Sequence, residues 1–506
     1  AENPDGVISL PTGKTPEHFI KWTSYYLSNW DKPEAKKTRE EHGLLLEKKP
    51  SLSGLRFVQI DEFYPINPKQ HNSFYNYVNK FYIKELGLDP EKALLINCDE
   101  IPLAQGKTHN EIFPDGIIDL TLRNRKPVSP IEELQKDSIF MIDDWCTGYE
   151  DKIRKMGGIG FFLGGIGPDG HVAFNTLGSD PYSTTRLTAT NFETQAAAAS
   201  DLGGIEVSRT RLVITIGLGT ITHNPDATAI IFAAGEAKAN IVKNALESEQ
   251  CNVYPATSLR RLKNARFYIT EGAAVKLDDS LDRYYGQGEW TYEKTEQAIY
   301  NLCIKINKYA HNLTLEDLKN DKYCRLIPNV SLDHVQQVIE STKNKISYGM
   351  ESPKNTTFLH TGPHHDDIML GIFPKVTHDI RRESNKLHFS VLTSGFTAVT
   401  NVMIIRLLKS TLNLIEAGRI KMIEYPDFYE RGYKFKWDKD VNHYLNKVAD
   451  DNEEGKLVGV CHRMVRAIVE IHEVKSTEEL VEQINKNIEI LENSYDGEKN
   501  PKHIQT

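Results

Sequence analysis

The glycine-rich segment from Gly164 to Asn175 carries an acid, Asp169, and a histidine, His171, two residues apart. It follows an apolar run at 159–163 that predicts a buried strand. Glycine tolerates backbone geometries that other residues avoid, so its repetition here indicates a sharp turn. Histidine is the side chain best suited to moving protons near neutral pH. The segment therefore predicts a site for proton transfer at the end of a strand.

Two more polar segments come directly after predicted strands. Asp61 and Glu62 follow the strand at 55–60, and a polar turn follows the strand at 7–10. Backbone N–H groups and hydroxyls at such a turn suit an anion, and the candidates are Thr12, Gly13, Lys14 and Thr15. Because parallel strands end at one edge of a sheet, all three segments are expected to converge there. Taken alone, Asp61 is equally compatible with a helix cap.

Two nucleotide-binding motifs match only formally. The glycines before His171 have the spacing of the dinucleotide fingerprint, but no convincing ribose-binding acid follows about twenty residues later. Gly13-Lys14-Thr15 looks like the end of a P-loop, but the first glycine of that motif would fall on Ile8. The sequence favours neither site.

Alternating strand and helix patterns predict an α/β fold with an open, mainly parallel sheet and helices on both faces. Strands are predicted at 7–10, 55–60, 93–96, 159–163, 212–216, 229–233 and 265–270. A charged stretch with helical periodicity follows, and a second strand–helix pattern starts near Thr356. We therefore expect a first α/β domain at 1–275, a helical connector at 276–350 and a second, Rossmann-like α/β domain at 351–506.

The composition is that of a soluble globular protein. The chain has 506 residues, 39% hydrophobic and 26% charged, with a formal net charge of −9. No basic cluster indicates a nucleic-acid partner, and no apolar run indicates a membrane span or a signal peptide. The six cysteines lack disulfide or metal spacing, which predicts reduced thiols in a cytoplasmic protein. From the two chain ends we expect a fragment of a longer polypeptide.

These motifs occur in the order of one enzyme family. Over residues 7–275 the chain resembles the glucosamine-6-phosphate deaminase (isomerase) family, with matching segments at 10–13, 60–63, 149–153, 164–175, 183–186, 216–220 and 235–239. The resemblance implies isomerisation and deamination of glucosamine 6-phosphate to fructose 6-phosphate and ammonia, by a hydrolase acting on carbon–nitrogen bonds. It also implies a small amino-sugar phosphate as partner, no cofactor for this domain, and a homo-oligomer.

The family's site residues carry over by position. By this resemblance Asp61 is the base that moves a proton between C2 and C1 of the open-chain sugar. His171, oriented by Asp169, acts on the ring oxygen during ring opening, while Lys238 and the turn from Thr12 to Thr15 hold the phosphate. Enolisation requires a carboxylate beside a carbon acid, and ring opening requires a tunable acid or base.

Two positions depart from the family pattern. Thr176 stands where the family has a glutamate that polarises the histidine, and Ser200-Asp201 stand near a family arginine that binds phosphate. Lys14 replaces a family glycine and would restore the lost positive charge. The alternatives are a 6-phosphogluconolactonase-type hydrolase, which shares the Gly-Asp-Gly-His element, and a catalytically weak sugar-phosphate-binding protein.

A second group of candidate residues, His364, Asp366 and Asp367, follows a predicted strand in the C-terminal part. Imidazole and carboxylate ligands three residues apart can meet one metal ion on a helical turn. Over about 351–506 the chain resembles the PIG-L/LmbE-type N-acetylglucosaminyl deacetylases. This resemblance implies zinc ligands at His364 and Asp367, with Asp366 as general base.

This second site also departs from its family. His365 and Ile368 replace a proline and a glutamate, and no downstream histidine motif supplies a third ligand. Two protein ligands seldom suffice for zinc. We therefore expect an incomplete domain that binds zinc weakly or not at all.

Overall fold

The computed structural model describes residues 3–13, 16–46, 48–70, 72–114, 116–202, 208, 210–351, 353–364, 366–392, 401–435 and 437–494. The chain forms two compact units: Ala1–Ala233, Asn244–Tyr268 and Phe396–Thr506 make the first, and Ala234–Lys243 and Ile269–Gly395 make the second. Among the described residues, no helix is long and apolar enough to cross a membrane.

The first unit contains two sheets. Its strands are β1 (Val7–Ser9), β2 (Arg56–Val58), β3 (Asp61–Tyr64), β4 (Ala93–Leu94), β5 (Phe161–Gly165), β6 (Arg186–Ala189), β7 (Leu212–Thr215), β8 (Thr228–Ala233) and β9 (Asn264–Ile269). The larger sheet has six strands in the order β4-β2-β1-β5-β8-β9. The pairs β1–β2, β1–β5, β2–β4 and β5–β8 are all parallel, as predicted.

The strand order reverses between β1 and β5. The chain adds β2 and β4 on one side of β1, then returns to place β5, β8 and β9 on the other side. In open parallel sheets, ligands bind outside the carboxyl ends of the strands at such a reversal. The turn after β1 and the glycine-rich segment after β5 flank this point.

The smaller sheet corrects the sequence prediction. Strands β3, β7 and β6 form an antiparallel sheet in which Asp61 pairs with Thr215 and Arg186 pairs with the same residue. The prediction that 212–216 joins the parallel sheet is therefore wrong, since a short apolar run does not specify its partner strand. Asp61 is the first residue of a strand in this second sheet and is not a helix cap. The sequence did not predict this strand because β3 begins with two acidic residues, which are not typical of strands.

Helices alternate with these strands along the chain. They are α1 (Glu17–Ser28), α2 (Pro33–Glu41), α3 (Phe74–Val78), α4 (His109–Ile112), α5 (Pro130–Lys155), α6 (Phe192–Leu202), α7 (Leu218–Ile221) and α8 (Ala239–Glu247). The longest, α5, starts at Ser129, whose hydroxyl caps the first turn, and carries acids in its first turn and lysines and arginine in its last. These charges complement the helix dipole.

The second unit holds the predicted connector and a short α/β element. Its helices are α9 (Glu271–Ala274), α10 (Asp278–Gly286), α11 (Tyr292–Ile306), α12 (Leu315–Asn320), α13 (Leu332–Met350) and α14 (Asp367–Ile380). Helices α10 to α13 share one apolar cluster that includes Ile299, Leu302, Leu318 and Val338. Strands β10 (Thr357–Gly362) and β11 (Lys386–Val391) pair in parallel, and α14 lies between them in the sequence. The described part of 351–506 adds no further strand, so a second Rossmann-like domain is not confirmed.

The remaining helices are α15 (Asn401–Glu416), α16 (Trp437–Ala449), α17 (Glu453–His472) and α18 (Thr477–Glu492). They pack around their own apolar cluster, with Leu408, Val465, Ile468 and Leu480 fully buried.

Glu150 of α5 joins three distant parts of the first unit. Its buried carboxylate accepts hydrogen bonds from the Thr185 N–H (3.1 Å) and hydroxyl (2.8 Å), from the Thr220 hydroxyl (2.7 Å) and from Arg154 (2.9 Å). Burial alone would raise the pKa of Glu150, but these hydrogen bonds hold it below its usual value. The ionised carboxylate therefore fixes the segment before β6 and the start of α7 against α5.

Replacing Glu150 by alanine is expected to destabilise the protein by about 3 kcal/mol or more at pH 7, because buried donors of Thr185 and Thr220 lose their acceptor. A lowered pKa gives stability that is present above the unfolded pKa and lost as pH falls through the folded pKa. The deficit of the variant should be full above about pH 5 and shrink in acid. Urea unfolding across pH measures this, with the exposed neighbour Asp151→Ala as control. Equal stability of the two variants would contradict the role of Glu150.

Candidate active site

A cavity of about 210 Å³ lies at the carboxyl ends of β1 and β5. Its lining includes Thr12 after β1, Asp61 of β3, Gly165 at the end of β5, and His171. The three polar segments expected to converge are therefore brought together by the fold. The volume is below the ~300–1,000 Å³ of drug-sized ligand sites, which suits a small polar molecule.

Asp61 is a buried carboxyl on the wall of this cavity, with 8% of its surface exposed. Gln59 accepts the Ile96 N–H through its side-chain oxygen and donates to the Asp61 carbonyl at 2.8 Å, which fixes the backbone before β3. Burial raises the pKa of Asp61 well above its usual value, and the neighbouring Glu62 adds to this rise. A carboxylate with a raised pKa is a stronger base, so Asp61 is suited to accept a proton from carbon.

Glu62 is adjacent to Asp61 but has a different environment, because successive side chains of a strand point to opposite faces. Its carboxylate accepts hydrogen bonds from the N–H groups of Phe63 (3.0 Å), Phe74 (3.0 Å) and Tyr75 (2.7 Å), and from the Ser73 hydroxyl (2.8 Å). Burial raises the pKa of Glu62 to about 7, while these hydrogen bonds oppose the rise. Glu62 therefore anchors the start of α3 and is not available to a ligand.

His171 and Asp169 form an acid/base pair beside the cavity. The His171 Nδ1 lies 2.5 Å from Asp169 Oδ1, so Nδ1–H donates to the carboxylate and leaves Nε2 for a ligand. Burial would raise the pKa of Asp169, but hydrogen bonds from His171 and Asn191 lower it to about 2. The carboxylate is thus ionised at all physiological pH values and orients the imidazole.

The glycines of this segment are required by its geometry. A Cβ on Gly167 would lie 2.1 Å from the His171 ring, so no larger residue leaves room for the imidazole over the turn. Gly170 has φ +87°, a conformation that other residues rarely adopt. The Gly167 N–H also donates to the His171 carbonyl at 2.9 Å and closes the turn. The sequence prediction of a sharp glycine turn is confirmed.

Aromatic rings connect the two proton-transfer groups. The His171 ring stacks on Phe174 at 5.8 Å between centroids, and Phe174 stacks on Phe74 at 6.3 Å. Phe63, two residues after Asp61, contacts both phenylalanines at 5.0 and 5.5 Å. This apolar wall excludes water from one side of the cavity and raises the effect of charge inside it.

Two tyrosines hold the turn after β1. Tyr77 donates to the Gly13 carbonyl at 3.0 Å, and Tyr82 donates to the Pro11 carbonyl at 2.5 Å.

Thr12 lines the cavity, whereas Lys14 and Thr15 lie outside the described residues. Lys238 ends the 3₁₀ turn Glu236–Lys238 in the second unit, and its role stays a prediction. Thr176 belongs to the described residues, whereas the side chains of Ser200 and Asp201 lie outside them.

Sequence reasoning missed two residues that contact the acid/base pair. Asn191 donates from Nδ2 to Asp169 Oδ2 at 2.6 Å, and the Thr194 hydroxyl lies 3.3 Å from His171 Nδ1. Both belong to the start of α6, about twenty residues after the histidine segment. The only available signal was the asparagine before a helical pattern, which is typical of an N-cap and says nothing about Asp169.

The candidate metal ligands of the second unit also come together. One ligand atom from each of His364, Asp366 and Asp367 lies within 4.8 Å of the others. Asp367 Oδ2 accepts the His364 backbone N–H at 2.7 Å, which closes the turn before α14. The donor set of one imidazole and two carboxylates is compatible with a divalent cation such as zinc. His365 lies outside the described residues.

Comparisons with known proteins find glucosamine-6-phosphate deaminases among the curated relatives, and both a glucosamine-6-phosphate deaminase and 6-phosphogluconolactonases among the solved structures. The chain is 32% identical over 168 residues to the glucosamine-6-phosphate deaminase of Borrelia hermsii, covering 31% of this chain and 61% of that protein. It is 23% identical over 295 residues to glucosamine-6-phosphate deaminase 2 of Bos taurus, covering 58% of this chain and 86% of that protein. It thus spans less than two thirds of the Borrelia relative. No family model matches the chain.

Among solved structures, a monomeric glucosamine-6-phosphate deaminase matches with a TM-score of 0.38 and 22% identity, covering 54% of this chain and 88% of that one. The fold assignment above therefore rests on the strand pairings themselves. None of these findings supports a PIG-L/LmbE-type domain at 351–506. The curated relatives support that the N-terminal half of this chain is similar to glucosamine-6-phosphate deaminases.

Proposed function

We propose that this protein isomerises and deaminates glucosamine 6-phosphate to fructose 6-phosphate and ammonia. The observation that carries the proposal is one cavity lined by both a buried carboxyl with a raised pKa, Asp61, and a carboxylate-bound imidazole, His171. The similarity to glucosamine-6-phosphate deaminases supports the same substrate.

The proposed chemistry has three steps. His171 Nε2 delivers a proton to the ring oxygen, and the sugar ring opens. The Asp61 carboxylate removes the proton from C2 and returns it to C1, while the C1 oxygen gains a proton and the C2 nitrogen loses one, which converts the amino aldehyde into an imine at C2. Water then adds to the imine and releases ammonia, leaving the ketose phosphate. The central step is an isomerisation, and hydrolysis enters only in the release of ammonia.

Two alternatives use the same cavity. A 6-phosphogluconolactonase-type hydrolase needs the histidine but no carboxylate that moves a carbon-bound proton. A catalytically weak sugar-phosphate-binding protein needs neither group. The burial of Asp61 on the cavity wall favours the isomerase, because an ionised carboxylate is costly to bury where it serves no reaction.

Asp61→Asn is expected to abolish release of ammonia and ketose phosphate, since an amide cannot accept the C2 proton. Turnover by the wild type in deuterium oxide should place deuterium at C1 or C2. The exposed Asp99→Asn is the matched control and should keep full activity. Ammonia release that is unchanged in Asp61→Asn would refute the isomerase, and lactone hydrolysis without deuterium incorporation would favour the lactonase.

We propose that Lys14 and the turn from Thr12 to Thr15 hold the substrate phosphate. Lys14→Ala should raise KM at least about tenfold with little change in kcat, because a charge-assisted hydrogen bond to phosphate is lost. The exposed Lys48→Ala serves as control in the same assay. Equal turnover of unphosphorylated glucosamine would show that the cavity does not recognise phosphate.

We further propose that His364 and Asp367 bind zinc weakly, with Asp366 beside the metal as general base. The supporting observation is the approach of the three side chains within 4.8 Å. Zinc bound there would polarise water for removal of an acetyl group, which would supply an amino sugar to the first reaction.

The dialysed protein is expected to contain much less than one zinc per chain, because two protein ligands leave the coordination incomplete. Titration with zinc should show weak binding that His364→Ala removes and that His378→Ala, an exposed histidine of α14, leaves unchanged. Stoichiometric zinc retained through dialysis and lost in His364→Ala would show a complete site.

A further inference from the structure

The two oxygens of the Asp169 carboxylate have different partners. Oδ1 accepts from His171 Nδ1 at 2.5 Å, and Oδ2 accepts from Asn191 Nδ2 at 2.6 Å. Side-chain exposure is 7% for Asp169 and 14% for His171, so water has little access to either contact. A carboxylate held at one oxygen rotates freely about its Cβ–Cγ bond, whereas a carboxylate held at both has a fixed plane.

Asn191 also starts helix α6 with its other side-chain atom. Its Oδ1 accepts the backbone N–H of Thr194 at 3.1 Å, which is the N-cap hydrogen bond of the helix. Thr194 is itself buried, with 3% exposed, and its hydroxyl lies 3.3 Å from His171 Nδ1. The first turn of α6 therefore contacts both members of the acid/base pair.

We propose that the first turn of α6 is a positioning device for the acid/base pair, in which Asn191 fixes Asp169 and Thr194 fixes His171. This inference rests on the proposed role of His171 in proton transfer. Because the cap bond and the Asp169 bond share one asparagine, formation of α6 and alignment of His171 are coupled.

An alternative is that Asn191 only caps the helix. Asn191→Asp separates the two roles, because aspartate caps as well as asparagine but cannot donate to Asp169. The second carboxylate would also lie against the first, and like charges favour the protonated form of the pair. Asn452→Asp is the matched control, since Asn452 caps α17 through the Gly455 N–H at 2.8 Å and contacts no site residue among those described.

The first measurement is turnover of glucosamine 6-phosphate. Asn191→Asp should lower kcat/KM about 10–100-fold, mainly through kcat, and move the acid limb of its pH profile upward by roughly one unit. Thr194→Val should lower kcat, and Thr194→Ser, which keeps the hydroxyl, should restore it. Asn452→Asp should match the wild type. An Asn191→Asp variant with wild-type kcat and pH profile would overturn the proposal.

The second measurement does not depend on turnover. In ¹⁵N-histidine-labelled protein, the Nδ1 proton of His171, assigned with His171→Gln, should give a strongly downfield signal that moves in Asn191→Asp and not in Asn452→Asp. An unmoved signal would overturn the positioning role even if the enzyme is active. If the wild type lacks deaminase activity but the signal moves as expected, the proposed function fails and the positioning role stands.

Discussion

Burial of two adjacent carboxyl groups at the start of β3 is the constraint on which the site depends. An ionised carboxylate loses several kcal/mol of hydration free energy when it is buried without partners. Glu62 offsets only part of this loss through four donors, three of which come from the turn and helix at residues 73–75, and its pKa still rises to about 7. None of the described residues donates a hydrogen bond to the Asp61 carboxyl. Burial therefore raises the pKa of Asp61 well above its usual value.

Strand geometry separates these two acids into different roles. The alternation of side chains along β3 sends one carboxyl to the cavity and the other to the start of α3. Glu62 then holds the backbone of Phe74, and Phe74 contributes to the aromatic wall that reaches His171 through Phe174. Glu62 therefore helps to shape the cavity that Asp61 lines.

The pair of His171 and Asp169 is built by a different device. A turn that only glycine permits brings the imidazole over Gly167, and Asp169 keeps its charge because its pKa is lowered to about 2. The pKa of Asp61 moves in the opposite direction, although both carboxyls are buried. The difference lies in donors: Asp169 has two close hydrogen-bond donors, whereas Asp61 faces the cavity. Opposite pKa shifts within one site are typical of paired acid and base roles.

The sequence by itself determined the parallel sheet, the glycine turn and the convergence of Thr12, Asp61 and His171, because apolar periodicity and strand-end position are local properties of the chain. It could not reveal the antiparallel sheet of β3, β7 and β6, since a short strand does not specify its partner. Nor could it reveal that Asn191 and Thr194 contact the Asp169–His171 pair, or that Glu62 is a structural acid. Hydrogen-bond partners of buried side chains depend on how distant segments pack, and only the tertiary structure decides that.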